Sequence, residues 1–267
     1  MGETNGSAGV GSDTALVRLE GSPAGGDFVI LCDHASNRVP AGFGEPGLGE
    51  EDMRRHIAWD PGALPVARML ARLLGAPLLY PDASRLLIDC NRPIDAPDSV
   101  TVRSEDTSIP GNADLPADLR ARRISGIYEP YHAAIDALLD ERARAGAQSV
   151  LVAVHSFTPV YRGRPRPWHL GILYGRDRRI ADSLFATYRG EPETVIGDNE
   201  PYGPWDGVYH TLERHGEARG LPCVMLEIRN DLIATAPDQE RWANSLAAAL
   251  SAARRDLDMP AVAAGER

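Results

Sequence analysis

The stretch Ser149-Val150-Leu151-Val152-Ala153-Val154-His155 holds three valines and no polar side chain between its two ends. A β-branched run without alternation reads as a strand buried on both faces, the kind found in the middle of a helix-covered sheet. Working outward, the apolar runs at 28–32, 77–80, 86–89, 170–174, 194–196 and 223–229 read as further strands. Helical signals fill the spaces between them. Asp60-Pro61 opens a helix continued by Leu64, Ala67, Leu70 and Leu74, and Pro116 opens another, whose stripe of Ile124, Ile127, Tyr131, Ile135 and Leu138 stops at Gly146. Segments 179–188, 208–219 (closed by Gly220) and 237–257 read as the remaining helices. The pattern predicts an α/β fold, a mostly parallel or mixed central sheet with helices on both faces. Residues 93–114, rich in Pro, Asp, Ser and Gly, read as a long loop. With no linker and no repeat in view, one domain is expected over 15–258, between a disordered N-terminal tail, 1–14, and a C-terminal tail, 259–267.

The chain of 267 residues carries 28 basic and 38 acidic side chains, a net charge of −10, and every basic residue is arginine. The absence of lysine excludes Schiff-base chemistry, a Walker-type phosphate loop and a lysine general base. The acidic balance gives no footprint for nucleic acid. Cys32, Cys90 and Cys223 are too far apart for a thiolate zinc site and read as small buried apolar residues. No apolar run reaches the length of a membrane span, and residues 1–14 do not resemble a secretory signal. A cytoplasmic protein with a small-molecule partner is expected, its oligomeric state left open.

In open α/β sheets, sites form beyond the carboxyl ends of the strands. The polar residues falling there are Asp33-His34-Ala35-Ser36-Asn37, Asn91-Arg92, His155-Ser156 and Glu227-Ile228-Arg229. Two histidines and an acid at strand ends suit a divalent metal with an open position, although either histidine alone also reads as a hydrogen-bonded core residue.

Five segments in order, 32–40, 56–60, 84–93, 155–159 and 227–232, resemble the N-formylglutamate amidohydrolase family over about residues 27–250. That family is distantly similar to the zinc carboxypeptidases and aspartoacylases. The resemblance implies a zinc-carboxypeptidase-like fold and a zinc-dependent amidohydrolase that releases formate from an N-formyl amino acid, N-formyl-L-glutamate foremost. It implies His34 and His155 as metal ligands, Asn91 and Arg92 as the substrate-carboxylate pair, and Glu227 as the base. It also places Tyr202 near the substrate. The relatives carry a Glu three residues after the first histidine, where this chain has Asn37. Asp60, at the head of the following helix, is therefore expected as the third ligand, with a plain helix N-cap as its alternative role. Asn37 is then left either to support the ligands from behind or to contact substrate. Alternation along the last strand puts Arg229 on the face of Glu227, as a second cation for a dicarboxylate. Two other readings stay open: a same-fold metallohydrolase of another N-acyl amino acid or small peptide, and a non-catalytic ligand-binding homologue.

Overall fold

Seven strands form one mixed sheet in the computed structural model, which describes residues 16–257. The tails expected at 1–14 and 259–267 lie outside the described residues. The strands are β1 (Val17–Glu20), β2 (Phe28–Leu31), β3 (Leu78–Pro81), β4 (Val150–Phe157), β5 (Leu170–Leu173), β6 (Ile196–Asp198) and β7 (Cys223–Arg229). Their spatial order is β1-β3-β2-β4-β7-β5-β6. The central four, β3, β2, β4 and β7, are parallel, while β1 at one edge and the β5–β6 pair at the other run against them.

Besides a one-turn helix at Glu50–Met53, the helices are α1 (Ala63–Leu74), α2 (Ala117–Arg123), α3 (Glu129–Arg144), α4 (Arg179–Tyr188), α5 (His210–His215) and α6 (Ala236–Leu257). A π-helical turn, Ile124–Tyr128, joins α2 to α3, so the segment opened by Pro116 stays helical as far as Arg144. All eight residues of β4 are buried, because helices cover both of its faces. Alternation divides the strands between two cores. Val150, Val152, Val154, Val224, Leu226 and Ile228 pack with α1, α4 and α6. Leu151, Ala153 and Met225 pack on the other face with Tyr131, Ile135 and Leu138 of α3 and Leu212 of α5. By the same parity, His155 and Glu227 continue the second face, and the β4–β7 register makes them direct neighbours.

Two expectations are corrected. Residues 86–89 form no strand, although Leu86, Leu87 and Ile88 are buried. Their carbonyls are satisfied by side chains instead of a ladder: Asn112 donates to Leu86 and Arg123 to Leu87. The apolar run there marks a buried loop, which a strand cannot be told from by composition. The helix expected from Asp60-Pro61 starts at Ala63, with Gly62 as its N-cap at φ +81°. A side chain at Gly62 would also press on the carbonyl of Ile233, 2.6 Å from where its Cβ would stand. Asp60 is thus released from capping. The loop over 93–114 contains a small hairpin, Arg103–Ser104 with Thr107–Ser108, and a second hairpin pairs Val160–Tyr161 with Arg164–Pro165. No helix among the described residues is long and apolar enough to cross a membrane.

Candidate active site

The carboxyl ends of β2, β4 and β7 open on a cavity of about 280 Å³. His34, Asp60, His155 and Glu227 line it together with Arg85, Asp89, Asn91, Arg92 and Tyr202. The imidazoles of His34 and His155 meet edge to face, their centroids 4.9 Å apart. Asp60 Oδ2 lies 2.8 Å from His155 Nδ1 and 3.3 Å from His34 Nδ1, and all three side chains are buried.

The opposite edge of each ring is already committed. His34 Nε2 donates to Asp89 at 2.8 Å, and His155 Nε2 donates to Asp33 at 2.9 Å. These carboxylates are themselves fixed. Tyr131 and Thr211 hydroxyls each donate to Asp33 Oδ1 at 2.8 Å, while the Asn91 amide and Arg85 donate to Asp89. A neutral imidazole with its proton on Nε2 presents only a lone pair at Nδ1. Two such lone pairs would face a carboxylate oxygen, a contact that either a proton on the ring or a metal ion among the three groups makes favourable. The His–carboxylate pairing behind each ring is the usual support of a metal-bound imidazole.

The charges agree. Burial by itself would raise Asp60, but His34 and His155 hold its carboxyl well below the usual range. Burial would likewise raise Asp33, which His155 and Tyr131 hold at about 2, and Arg85 with His34 keeps Asp89 low as well. Three carboxylates thus crowd around the two imidazoles, with Arg85 paired to Asp89 and Asp60, and Arg92 also holding Asp89 low. Burial would lower His155, yet the bonds to Asp33 and Asp60 override it and favour the cationic ring. His34, Asp60 and His155 therefore fit a divalent ion: their ligand atoms lie within 4.8 Å of one another, in a mixed imidazole and carboxylate set suited to zinc.

Glu227 stands beside this cluster, with Oε2 buried and without a hydrogen-bond partner. Burial pushes its carboxyl up to about 7, against the pull of His155. Tyr202 reaches the same spot, and burial together with the nearby Glu227 raises its phenol to about 12, so it remains a hydroxyl donor. Asn91 is locked at both ends, its Nδ2 donating to the Val208 carbonyl and its Oδ1 accepting from the Thr211 amide. Arg92 is held by Asp98 at 2.8 Å and by the carbonyl of Asn91 at 3.0 Å.

Two residues expected at the site are not brought to it. Asn37 turns away and donates to the carbonyl of Met53 at 2.7 Å, tying down residues 38–59. Arg229 pairs with Asp231 at 2.8 Å and donates to the carbonyls of Arg166 and Pro167. Alternation carried the expectation to the last residue of β7, where the chain turns into the short 3-10 helix Asn230–Ile233 and a carboxylate two residues on captures the guanidinium.

Sequence reasoning gave no role to Asp33, Asp89 or Arg85. The signals were present in Asp33-His34 and in the four-residue spacing of Arg85 and Asp89, but neither says which ring a carboxylate supports. His56 faces Glu105 at 3.3 Å at the cavity wall. His132 is buried away from the cavity, between the Cys90 carbonyl and His215.

A family model described as N-formylglutamate amidohydrolase matches residues 26–234. The gene product Atu2144 of Agrobacterium tumefaciens superposes with a TM-score of 0.89 at 43% identity, covering 92% of this chain and 97% of that one. The N-formylglutamate amidohydrolase of Ralstonia eutropha JMP134 shares the fold at 21% identity and a TM-score of 0.62, covering 91% of this chain and 98% of that one. No curated protein sequence matches significantly. The family model spans well over half of the chain, and this protein belongs to the N-formylglutamate amidohydrolase family.

Proposed function

We propose that the protein hydrolyses the formamide of an N-formyl amino acid, N-formyl-L-glutamate or a close relative, to formate and the free amine, with one zinc ion held by His34, Asp60 and His155. The observation that carries this reading is the convergence of His34 Nδ1, His155 Nδ1 and Asp60 Oδ2 on one point beside the unpartnered carboxylate of Glu227. A divalent ion there supplies Lewis acidity and brings the pKa of a water toward ~7.

The remaining work falls to the protein. Ionised Glu227 accepts a proton from the attacking water as the oxygen adds to the formyl carbon, and returns it to the amide nitrogen as the C–N bond breaks. Burial suits it to both tasks, since a carboxyl near 7 takes and releases a proton with similar ease. Arg85 and Tyr202 line the cavity and serve as donors for the oxygen that gains charge in the tetrahedral state. Arg92 has the fork geometry to hold a substrate carboxylate, next to an Asn91 immobilised by its own hydrogen bonds. Tight packing on both sides of the sheet keeps these groups in place before substrate arrives.

The test is formate release from a panel of N-formyl and N-acetyl amino acids, by native protein and by Glu227→Gln, with metal content measured on both. The native protein should favour the formyl dicarboxylate. The variant should lose about 10²–10⁴-fold in kcat and keep its metal. Preference for an acetyl substrate would move the assignment to another N-acyl amino acid, and no turnover of any substrate by zinc-loaded protein would leave a binding role.

A further inference from the structure

Arg166 is a buried cation with no carboxylate. It is 8% exposed, forms no ion pair among the described residues, and its Nη1 is enclosed without a hydrogen-bond partner. What surrounds the guanidinium is aromatic. Its Cζ stands 4.5 Å from the ring centroid of Tyr161, 4.7 Å from Tyr202 and 5.7 Å from Phe157. All three rings line the catalytic cavity, whereas Arg166 lies behind them and outside its lining. The enclosed Nη1 is out of a ligand's reach, so this cation does not receive the substrate's anion. It acts on the rings.

The backbone carrying Arg166 is anchored on two sides. Its amide donates to the Pro159 carbonyl at 2.8 Å, closing the hairpin that follows β4. Its carbonyl and that of Pro167 accept from Arg229, at the end of β7 and two residues beyond Glu227. The main chain at Arg166 is thereby tied to the ends of both strands, the one carrying His155 and the one carrying Glu227. On its far side the guanidinium reaches Tyr202, whose hydroxyl it also contacts and whose phenol stands within the field of Glu227. A planar cation between two ring faces is attracted to both and admits only a narrow range of tilts. Lysine, a compact and strongly hydrated point charge, could not stack in this way.

We propose that Arg166 is a positioning residue for the hydrolytic step: clamped between Tyr161 and Tyr202, it sets the place of the Tyr202 hydroxyl beside Glu227. The inference rests on the deformylase reading for its rate measurements, but its structural half does not. Arg166→Lys keeps the charge and Arg166→Leu removes the cost of burying it, so at least one of the two should fold.

The experiment is a double-variant cycle, reading kcat and KM separately, with Arg166→Leu and Arg166→Lys made in the native background and in Tyr202→Phe. In the native background both should lower kcat about 10–100-fold, since misplacing one group by about an ångström costs that much, with little change in KM. In the Tyr202→Phe background the same changes should add almost nothing, because residues acting as a unit are not additive. An equal loss in both backgrounds would overturn the proposal. Independently of turnover, the ¹³Cζ resonance of Tyr202, assigned by its disappearance in Tyr202→Phe, should shift in both Arg166 variants. An unmoved resonance overturns the proposal even if the protein deformylates, and a moved one supports it even if the substrate proves to be another.

Discussion

Asp60 Oδ2 lies 2.8 Å from His155 Nδ1, although 95 residues separate the two in the chain. The carboxylate that local sequence would assign to a helix start is turned instead onto an imidazole at the centre of the sheet. Gly62 makes this possible by capping α1 in its place. Removing Asp60 should therefore remove the metal. Asp60→Ala is expected to lose stoichiometric zinc and all turnover. Asn37→Ala breaks one bond to the Met53 carbonyl and should cost about 0.5–1.5 kcal/mol while zinc stays bound. Zinc per chain and melting temperature on the two variants decide the matter, and zinc retained without Asp60 would reverse the ligand assignment.

Asp33 lies behind the His155 ring, on the side away from Asp60, yet it should behave as part of the cluster. It accepts from His155 Nε2, Tyr131 and Thr211, and so sets both the tautomer and the tilt of the ring. Asp33→Asn preserves shape but presents an amide that can turn the wrong end to the imidazole. Metal affinity should fall roughly 10–100-fold, read by competition with a chromophoric chelator. Unchanged affinity would mean that packing alone orients His155.

Arg92→Lys keeps the charge and loses the planar fork. KM for an N-formyl amino acid should rise about tenfold or more, with a smaller change in kcat, since a carboxylate far from the reacting carbon is held alike before and during the reaction. A formylated amine without any carboxylate should be a poor substrate of the native protein. If it is turned over equally well, Arg92 does not bind the carboxylate.

His132 predicts an acid-sensitive core. Burial lowers its pKa to about 3, with the neighbouring His215, Arg214 and His210 working in the same direction and Asp33 against them. The folded protein keeps this ring neutral, whereas the unfolded chain protonates it near 6.5. Its contribution is complete above that value and is lost as pH falls from about 6.5 toward 3, by up to about 1.4 kcal/mol per pH unit. The stability of the native protein relative to His132→Gln, measured by urea unfolding at pH 7 and pH 5, should shrink at the lower pH. A difference independent of pH would show that His132 does not take up its proton on unfolding in this range.

The sequence alone carried the sheet, because strand burial is a local pattern: Ser149–His155 has nowhere to sit except between two layers of helix. It also carried the parity that sends His155 and Glu227 to one face, since side chains along any strand alternate. The motifs in order were enough to point to two imidazoles and the family they resemble. Tertiary structure decided what depends on where loops send their side chains. Residues 38–59 fold back so that Asn37 secures Met53, and Asp60 reaches the histidines from the far side of that excursion. Arg229 obeys alternation until β7 ends, and is then captured by Asp231. The buried loop 86–89 looks like a strand in composition because burial alone selects for leucine and isoleucine, while its carbonyls are satisfied by Asn112 and Arg123 from distant segments. Periodicity reports the environment of a backbone; a partner across the fold is fixed only when the packed layers bring it within reach.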